Sequence, residues 1–301
     1  MMELDKLTTE KRNTNTMNLD TLSIRDVLHV MNEEDQSVAH CVKQELPQIE
    51  KVVEAVKQTF NQGGYLVYVG AGTSGRLGVL DAAECVPTFN ADPSMVQGLI
   101  AGGMPAMTVA VEGAEDSLEM GKEDLRRIKL SEKDTVLGIA ASGRTPYVKG
   151  ALNYAKQVGA TTASLACNKN ADISTYADIN IEIQSGPEIL TGSTRLKAGT
   201  AQKMVLNMIS TASMVAIGKV YQNLMVDLKP TNNKLIERSK SIIMQATECS
   251  YEVADKFLHI ADKNVKLAIL MLLTNLPKEE AEKELEKNKG FIRNISSNSK
   301  E

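Results

Sequence analysis

Two glycine-rich turns carry the side chains best suited to chemistry. The first is Gly70-Ala71-Gly72-Thr73-Ser74-Gly75-Arg76. It follows an apolar run and precedes a helical pattern. A strand, a glycine turn and a helix start together aim backbone N–H groups and the positive end of a helix dipole at an anion. The second is Ala141-Ser142-Gly143-Arg144-Thr145-Pro146, again after an apolar run, with the proline suited to a first helical turn. Gly70, Gly72 and Gly75 satisfy the G-x-G-x-x-G spacing of dinucleotide sites, but that spacing also wants an acid at the end of the next strand. That strand ends in Ala101-Gly102-Gly103, and Asp92 lies before it. Two hydroxyl-bearing turns suit a monophosphate ester better than a dinucleotide. Candidate ligands are Gly72, Thr73, Ser74, Gly75 and Arg76 from one turn, and Ser142, Gly143, Arg144 and Thr145 from the other.

A third segment, Leu190 to Thr200, places Ser193, Thr194, Arg195 and Lys197 at the start of a long helix. Cations there oppose the helix dipole. Arg195 and Lys197 are therefore expected either to reach solvent or to serve an anionic ligand.

Carboxylates gather in two places. Asp81 and Glu84 are three residues apart, and Glu112, Glu115, Asp116 and Glu119 follow the next strand. Such groups can transfer protons. They can equally form a solvated helix face or an acidic helix start, and spacing alone leaves both open. His29, His40 and His259 lack metal-ligand spacing, so no metal is expected. No Gly-x-Ser-x-Gly elbow supports a serine hydrolase. Cys41, Cys85, Cys167 and Cys249 are dispersed without a CxxC pair, which reads as reduced thiols in a cytoplasmic protein.

The elements that must hold these residues alternate. Apolar runs at 65–69, 96–100, 135–139, 161–166 and 179–183 read as strands. Helical patterns lie between most of them, at 77–85, 116–128 and 147–158, and another follows at 197–221. Alternation of this kind implies right-handed crossovers and a parallel sheet with helices on both faces. Residues 1–18 read as disordered or loosely attached. Three helices are expected next, at 23–31, from near Asp35, and from Pro47 to Gly63-Gly64. Beyond about Pro230 only helices are expected, at 234–248, 250–259, 265–275 and 278–288. The division predicted is 1–56, an N-terminal helical segment; 57–228, the α/β domain; and 229–301, a small all-helical domain.

The chain has 301 residues, of which 43% are hydrophobic and 24% charged, with a formal net charge of −4. No basic track fits a nucleic-acid backbone. The longest apolar stretch, Leu267 to Leu273, is far short of the ~20 residues that span a bilayer. Residues 1–17 lack the apolar core of a signal peptide.

Three stretches resemble a known family. They are Gly70 to Gly78, continuing through Asp81-Ala82-Ala83-Glu84 to Pro87-Thr88-Phe89; Val111 to Asp116; and Gly186 to Lys203. The sheet and its hydroxyl turns look like a sugar isomerase (SIS) domain, and the stretches resemble the N-acetylmuramic acid 6-phosphate etherases. Glucokinase regulatory proteins share a relative of the last stretch. The resemblance implies a three-layer α/β sandwich with a five-stranded parallel sheet (the SIS fold), N-terminal helices and a helical C-terminal region. It implies a substrate that is a phosphorylated N-acetyl amino sugar carrying a lactyl ether, and no cofactor. It implies a homodimer with its sites near the subunit interface. The family's two catalytic glutamates fall on Glu84 and Glu115. Glu84 is the candidate acid and Glu115 the candidate base, though the two labels can be exchanged. A phosphosugar-sensing regulator and a phosphosugar isomerase are the competing readings.

Overall fold

The computed structural model describes residues 7–228, 230 and 232–296. The five apolar runs form the strands β1 (Leu66–Gly70), β2 (Val96–Ile100), β3 (Thr135–Ala140), β4 (Thr161–Ala166) and β5 (Ile179–Glu182). They make one parallel sheet in the order β2-β1-β3-β4-β5. Every residue of β1 and β3 is buried, as strands covered on both faces require. The order reverses direction at β1, so a crevice opens beyond the carboxyl ends of β1 and β3. Gly70 pairs with Ile139 in the register, so the two hydroxyl-bearing turns leave the sheet side by side.

The helices are α1 (Ile24–Gln44), α2 (Leu46–Asn61), α3 (Gly72–Phe89), α4 (Leu118–Arg127), α5 (Pro146–Val158) and α6 (Lys197–Ala216). Their ends follow local chemistry. Ser23 caps α1 by accepting from the Asp26 amide, Ser117 caps α4 through the Met120 amide, and Gly159 closes α5 at φ +87°. The α4–α5 crossing is close because Gly121 and Gly150 carry no side chain. A Cβ at Gly121 would strike the Tyr147 carbonyl, and one at Gly150 the Leu118 carbonyl. Val67, Val69, Leu125, Val136, Val148 and Leu152 form the core on this side of the sheet.

Three expectations are corrected. The segments expected as separate helices at 23–31 and from Asp35 are one 21-residue helix, α1. Helix α6 stops at Ala216, five residues short of the expected end, and Gly218 follows at φ +79°. The N-terminal segment is not loose where it can be described. Residues 1–6 lie outside the described residues, but 7–22 form three short 3-10 turns at Thr8–Glu10, Thr14–Thr16 and Leu19–Thr21. Thr9 is fully buried. Side-chain hydrogen bonds rather than an apolar face hold this segment, so no hydrophobic period reveals it.

The chain falls into two compact units. One comprises Met1–Ala83 with Ser94–Ser210, and the other Glu84–Pro93 with Thr211–Glu301. The second unit holds a two-stranded hairpin, β6 (Val220–Tyr221) with β7 (Leu224–Met225), then α7 (Asn233–Thr247), α8 (Tyr251–Ile260), α9 (Val265–Thr274), α10 (Lys278–Lys287) and α11 (Ile292–Ser296). The first seven residues of α9, Val265 to Met271, are all buried, so this helix forms the centre of its bundle. Asn232, Ser250 and Asn264 cap α7, α8 and α9 with their side chains. Among the described residues no helix is long and apolar enough to cross a membrane.

Candidate active site

Helix α3 begins inside the first turn, at Gly72, whose φ is +53°. Helix N–H groups of a first turn have no intrahelical partner, which leaves Gly72, Thr73 and Ser74 as donors. Ser74 is buried, and its Oγ donates to Gln202 Oε1 on α6 at 2.9 Å. A Cβ at Gly199 would lie 3.5 Å from Thr73 Cγ2, so the first turn of α6 faces the same loop. Arg76 donates through Nε to the Met107 carbonyl at 3.1 Å. Its remaining guanidinium N–H groups have no partner among the described residues.

The second turn is held from behind. Gly143, at φ +74°, donates to the Ala140 carbonyl and accepts from the Ile173 amide. A Cβ on Gly143 would strike Ala171, so the turn lies flat on the chain after β4. The Arg144 amide donates to Ser142 Oγ at 3.3 Å. Ser142, Arg144 and Thr145 stay partly exposed. Asn168, which follows β4 and is 2% exposed, donates to the Ala141 carbonyl and accepts from Thr8 Oγ1. The N-terminal segment is thereby fastened behind the second turn.

The third segment divides its expected ligands. The Glu188 carboxylate accepts from the Lys197 and Ala198 amides at 2.9 and 3.0 Å and so caps α6. Burial pushes the Glu188 pKa up. Lys197, expected to face an anionic ligand, instead meets Glu34 Oε2 at 2.5 Å with its side chain only 4% exposed. Its charge is already matched. Burial raises the Glu34 pKa, but hydrogen bonds from Lys197, Asn15 and Asn13 outweigh that, and the net direction is down. Arg195 is exposed, while Ser193 and Thr194 are partly exposed.

The two acidic groups part in character. Asp81 turns inward and is 5% exposed. It accepts from Tyr68 OH at 2.8 Å, Asn207 Nδ2 at 2.8 Å and Ser210 Oγ at 3.1 Å. Burial raises its pKa. Glu84, one turn further along α3, is exposed, and Leu80, one turn before it on the same face, is exposed too. Glu115 sits in a 3-10 turn, Ala114–Asp116, set up by Gly113 in the left-handed conformation. With Glu112, Asp116, Arg76, Gly72 and Val111 it lines a cleft of about 390 Å³. Glu84 is not among the residues of that cleft.

Sequence reasoning passed over Glu34, Asn168, Glu188 and Gln202. Glu188 and Gln202 lie within the family-like stretch 186–203, which was the signal available for them. Cys167 offers no nucleophile, because burial pushes its thiol pKa up to about 12.

Comparison with known proteins decides the family. N-acetylmuramic acid 6-phosphate etherase 2 of Enterococcus faecalis is 66% identical, over 97% of this chain and 99% of the relative. A protein of the same name from Lactiplantibacillus plantarum is 65% identical, over 97% and 99%. The chain belongs to the N-acetylmuramic acid 6-phosphate etherase family. A Bacillus cereus member of the etherase family is 62% identical, over 96% of this chain and 99% of the relative. Within the chain, the glucokinase regulatory protein N-terminal SIS domain matches residues 48–156, and the SIS domain matches 114–212. A phosphoheptose isomerase from Francisella tularensis superposes with a TM-score of 0.50 at 15% identity, covering 63% of this chain and all of that one. That likeness places the etherase sheet in the SIS fold.

Proposed function

We propose that this protein is a carbon–oxygen lyase that cleaves the lactyl ether of N-acetylmuramic acid 6-phosphate, giving N-acetylglucosamine 6-phosphate and D-lactate. The observation that carries the reading is the cleft at the carboxyl edge of the sheet, where Glu115 lies with the start of α3 and Arg76. The phosphate is assigned to the hydroxyls and amides of Thr73, Ser74, Ser142 and Thr145, with Ser193 and Thr194 at the third segment. The lactyl carboxylate is assigned to Arg76 or Arg195, which can meet it with two parallel N–H groups. Lys197 is left with a structural role, since Glu34 already neutralises it.

In the open-chain sugar, the C1 aldehyde makes the C2 proton acidic. Glu115 takes that proton. The electron pair forms the C2–C3 double bond and expels the lactyl oxygen, which is protonated by Glu84. Glu84 then deprotonates water as its oxygen adds to C3, and C2 recovers a proton. The sum is one water consumed and one ether broken, with no oxidation. Each proton transfer contributes roughly 10²–10⁴ in rate.

Glu84 is not among the residues that line the Glu115 cleft, and it shares an exposed helix face with Leu80. This supports a homodimer in which that face covers the partner's cleft, so each site takes one glutamate from each chain. The absence of disulfide bonds among the four cysteines fits a cytoplasmic setting. The test is incubation with N-acetylmuramic acid 6-phosphate in H₂¹⁸O. Release of D-lactate with ¹⁸O at C3 of the sugar product is the expected result. Label in the lactate, or no lactate at all, overturns the proposal.

A further inference from the structure

Gln202 is one of three described residues with a buried side-chain polar atom that lacks a hydrogen-bond partner. It is fully buried on α6. Its Oε1 accepts the Ser74 hydroxyl at 2.9 Å, while its Nε2 donates to nothing among the described residues. Buried amide N–H groups are rarely left without an acceptor. Ser74 has the complementary shortage. A serine hydroxyl owns one proton, and here that proton points at Gln202. In this arrangement Ser74 has no proton for an anionic oxygen, although it stands in the first turn of α3, where anions are favoured.

One rotation gives Gln202 Nε2 an acceptor and frees the Ser74 proton. If the Gln202 amide turns over by half a turn, Nε2 donates to Ser74 Oγ. The Ser74 proton is then free for a ligand oxygen. Oε1 loses its partner instead, and an under-used carbonyl oxygen is tolerated better than an orphaned N–H. The resulting chain of donors, Gln202 to Ser74 to anion, polarises in one direction and strengthens each link.

We propose that Gln202 is a positioning residue for phosphate binding, whose amide reverses when the phosphate arrives and so aims the Ser74 hydroxyl at it. This rests on the phosphosugar reading of the site given above. Gln202 touches no substrate; it acts through Ser74.

Two variants separate this role from a structural one. Gln202→Met keeps the bulk and removes both hydrogen bonds, leaving the Ser74 proton free. Gln202→Glu, when ionised, offers only acceptors and holds that proton permanently. The expected order of KM for the phosphosugar is native, then Gln202→Met, then Gln202→Glu. The last should rise roughly ten- to a hundredfold, the loss of one hydrogen bond to a charged group, with kcat within about twofold, because the glutamates that move protons are untouched. In a Ser74→Ala background Gln202→Glu should have no further effect.

Calorimetric titration with N-acetylglucosamine 6-phosphate, and with N-acetylglucosamine as the phosphate-free control, measures the binding directly. If Gln202→Glu binds the phosphosugar as tightly as the native protein, or weakens it equally in the Ser74→Ala background, the proposal fails. So it does if Gln202→Met is the weaker binder of the two. If the native protein prefers neither sugar, the phosphosugar reading itself has failed. Should Gln202→Glu not fold, the side-chain amide NMR signal of Gln202 in the native protein decides. It should shift on titration with inorganic phosphate, and an unmoved signal overturns the proposal.

Discussion

Lys197 and Glu34 join the first turn of α6 to the middle of α1 through an ion pair whose ammonium is buried and whose carboxylate is partly exposed. Sequence places these residues far apart, and only Lys197 looks notable there. The pair explains how a cation survives at a helix N-terminus, where the dipole disfavours it.

Replacing Glu34 by Gln should therefore destabilise the protein by about 3 kcal/mol near neutral pH, since it leaves a buried ammonium without its partner. The Glu34 carboxyl titrates below its ordinary value of 4.5 in the folded state. As pH falls, the unfolded chain takes up this proton first, so stability present above about 4.5 is lost as pH drops through the folded pKa. Thermal melting across that range should fall more steeply for the native protein than for Glu34→Gln. Parallel curves would show that the pair does not contribute.

Glu84→Gln and Glu115→Gln should each lower the rate of lactate release by roughly 10²–10⁴ while binding of the sugar phosphate persists. If the site is shared across a two-fold axis, hybrids of the two inactive variants contain one intact site. Mixing them under conditions that exchange subunits should restore part of the activity. A mixture as inactive as its components would refute the shared site.

Arg76 has its Nε fixed on Met107 and faces the cleft that holds Glu115. Arg76→Gln should raise KM for the lactyl substrate by roughly ten- to a hundredfold, the cost of a charge-assisted pair. Affinity for N-acetylglucosamine 6-phosphate, which lacks the carboxylate, should stay near the native value. Equal loss for both sugars would move Arg76 to the phosphate.

The α4–α5 crossing makes a prediction about the fold. Gly150→Ala forces a methyl group against the Leu118 carbonyl. Overpacking of this kind costs typically ~1–3 kcal/mol. A lowered denaturation midpoint with an unchanged slope in urea is the expected result. An unchanged midpoint would mean that the two helices can part freely.

Most of the sheet was legible because its strands are continuous apolar runs, such as Leu66 to Val69, closed by glycine. The helical C-terminal region was legible from caps such as Asn232, Ser250 and Asn264. The N-terminal segment was not, because Thr8, Thr9 and Thr16 are held by individual polar partners, which leave no periodic trace. In the site, the turns announced themselves by glycine and hydroxyl content. The separate characters of Asp81 and Glu84 did not. Three-residue spacing places two side chains near each other on a helix, yet the neighbours Tyr68, Asn207 and Ser210, distant in sequence, claim only the first.

Thr16 donates to the Ile189 carbonyl across 173 positions, and Thr8 reaches Asn168 across 160. On the ribosome, the opening residues must therefore wait for the far side of the sheet to be made. At synthesis rates of ~5–20 residues per second that delay is on the order of ten seconds or more. During it, Thr8 and Thr16 lack these native partners, and the first stretch of chain is open to chaperones and proteases.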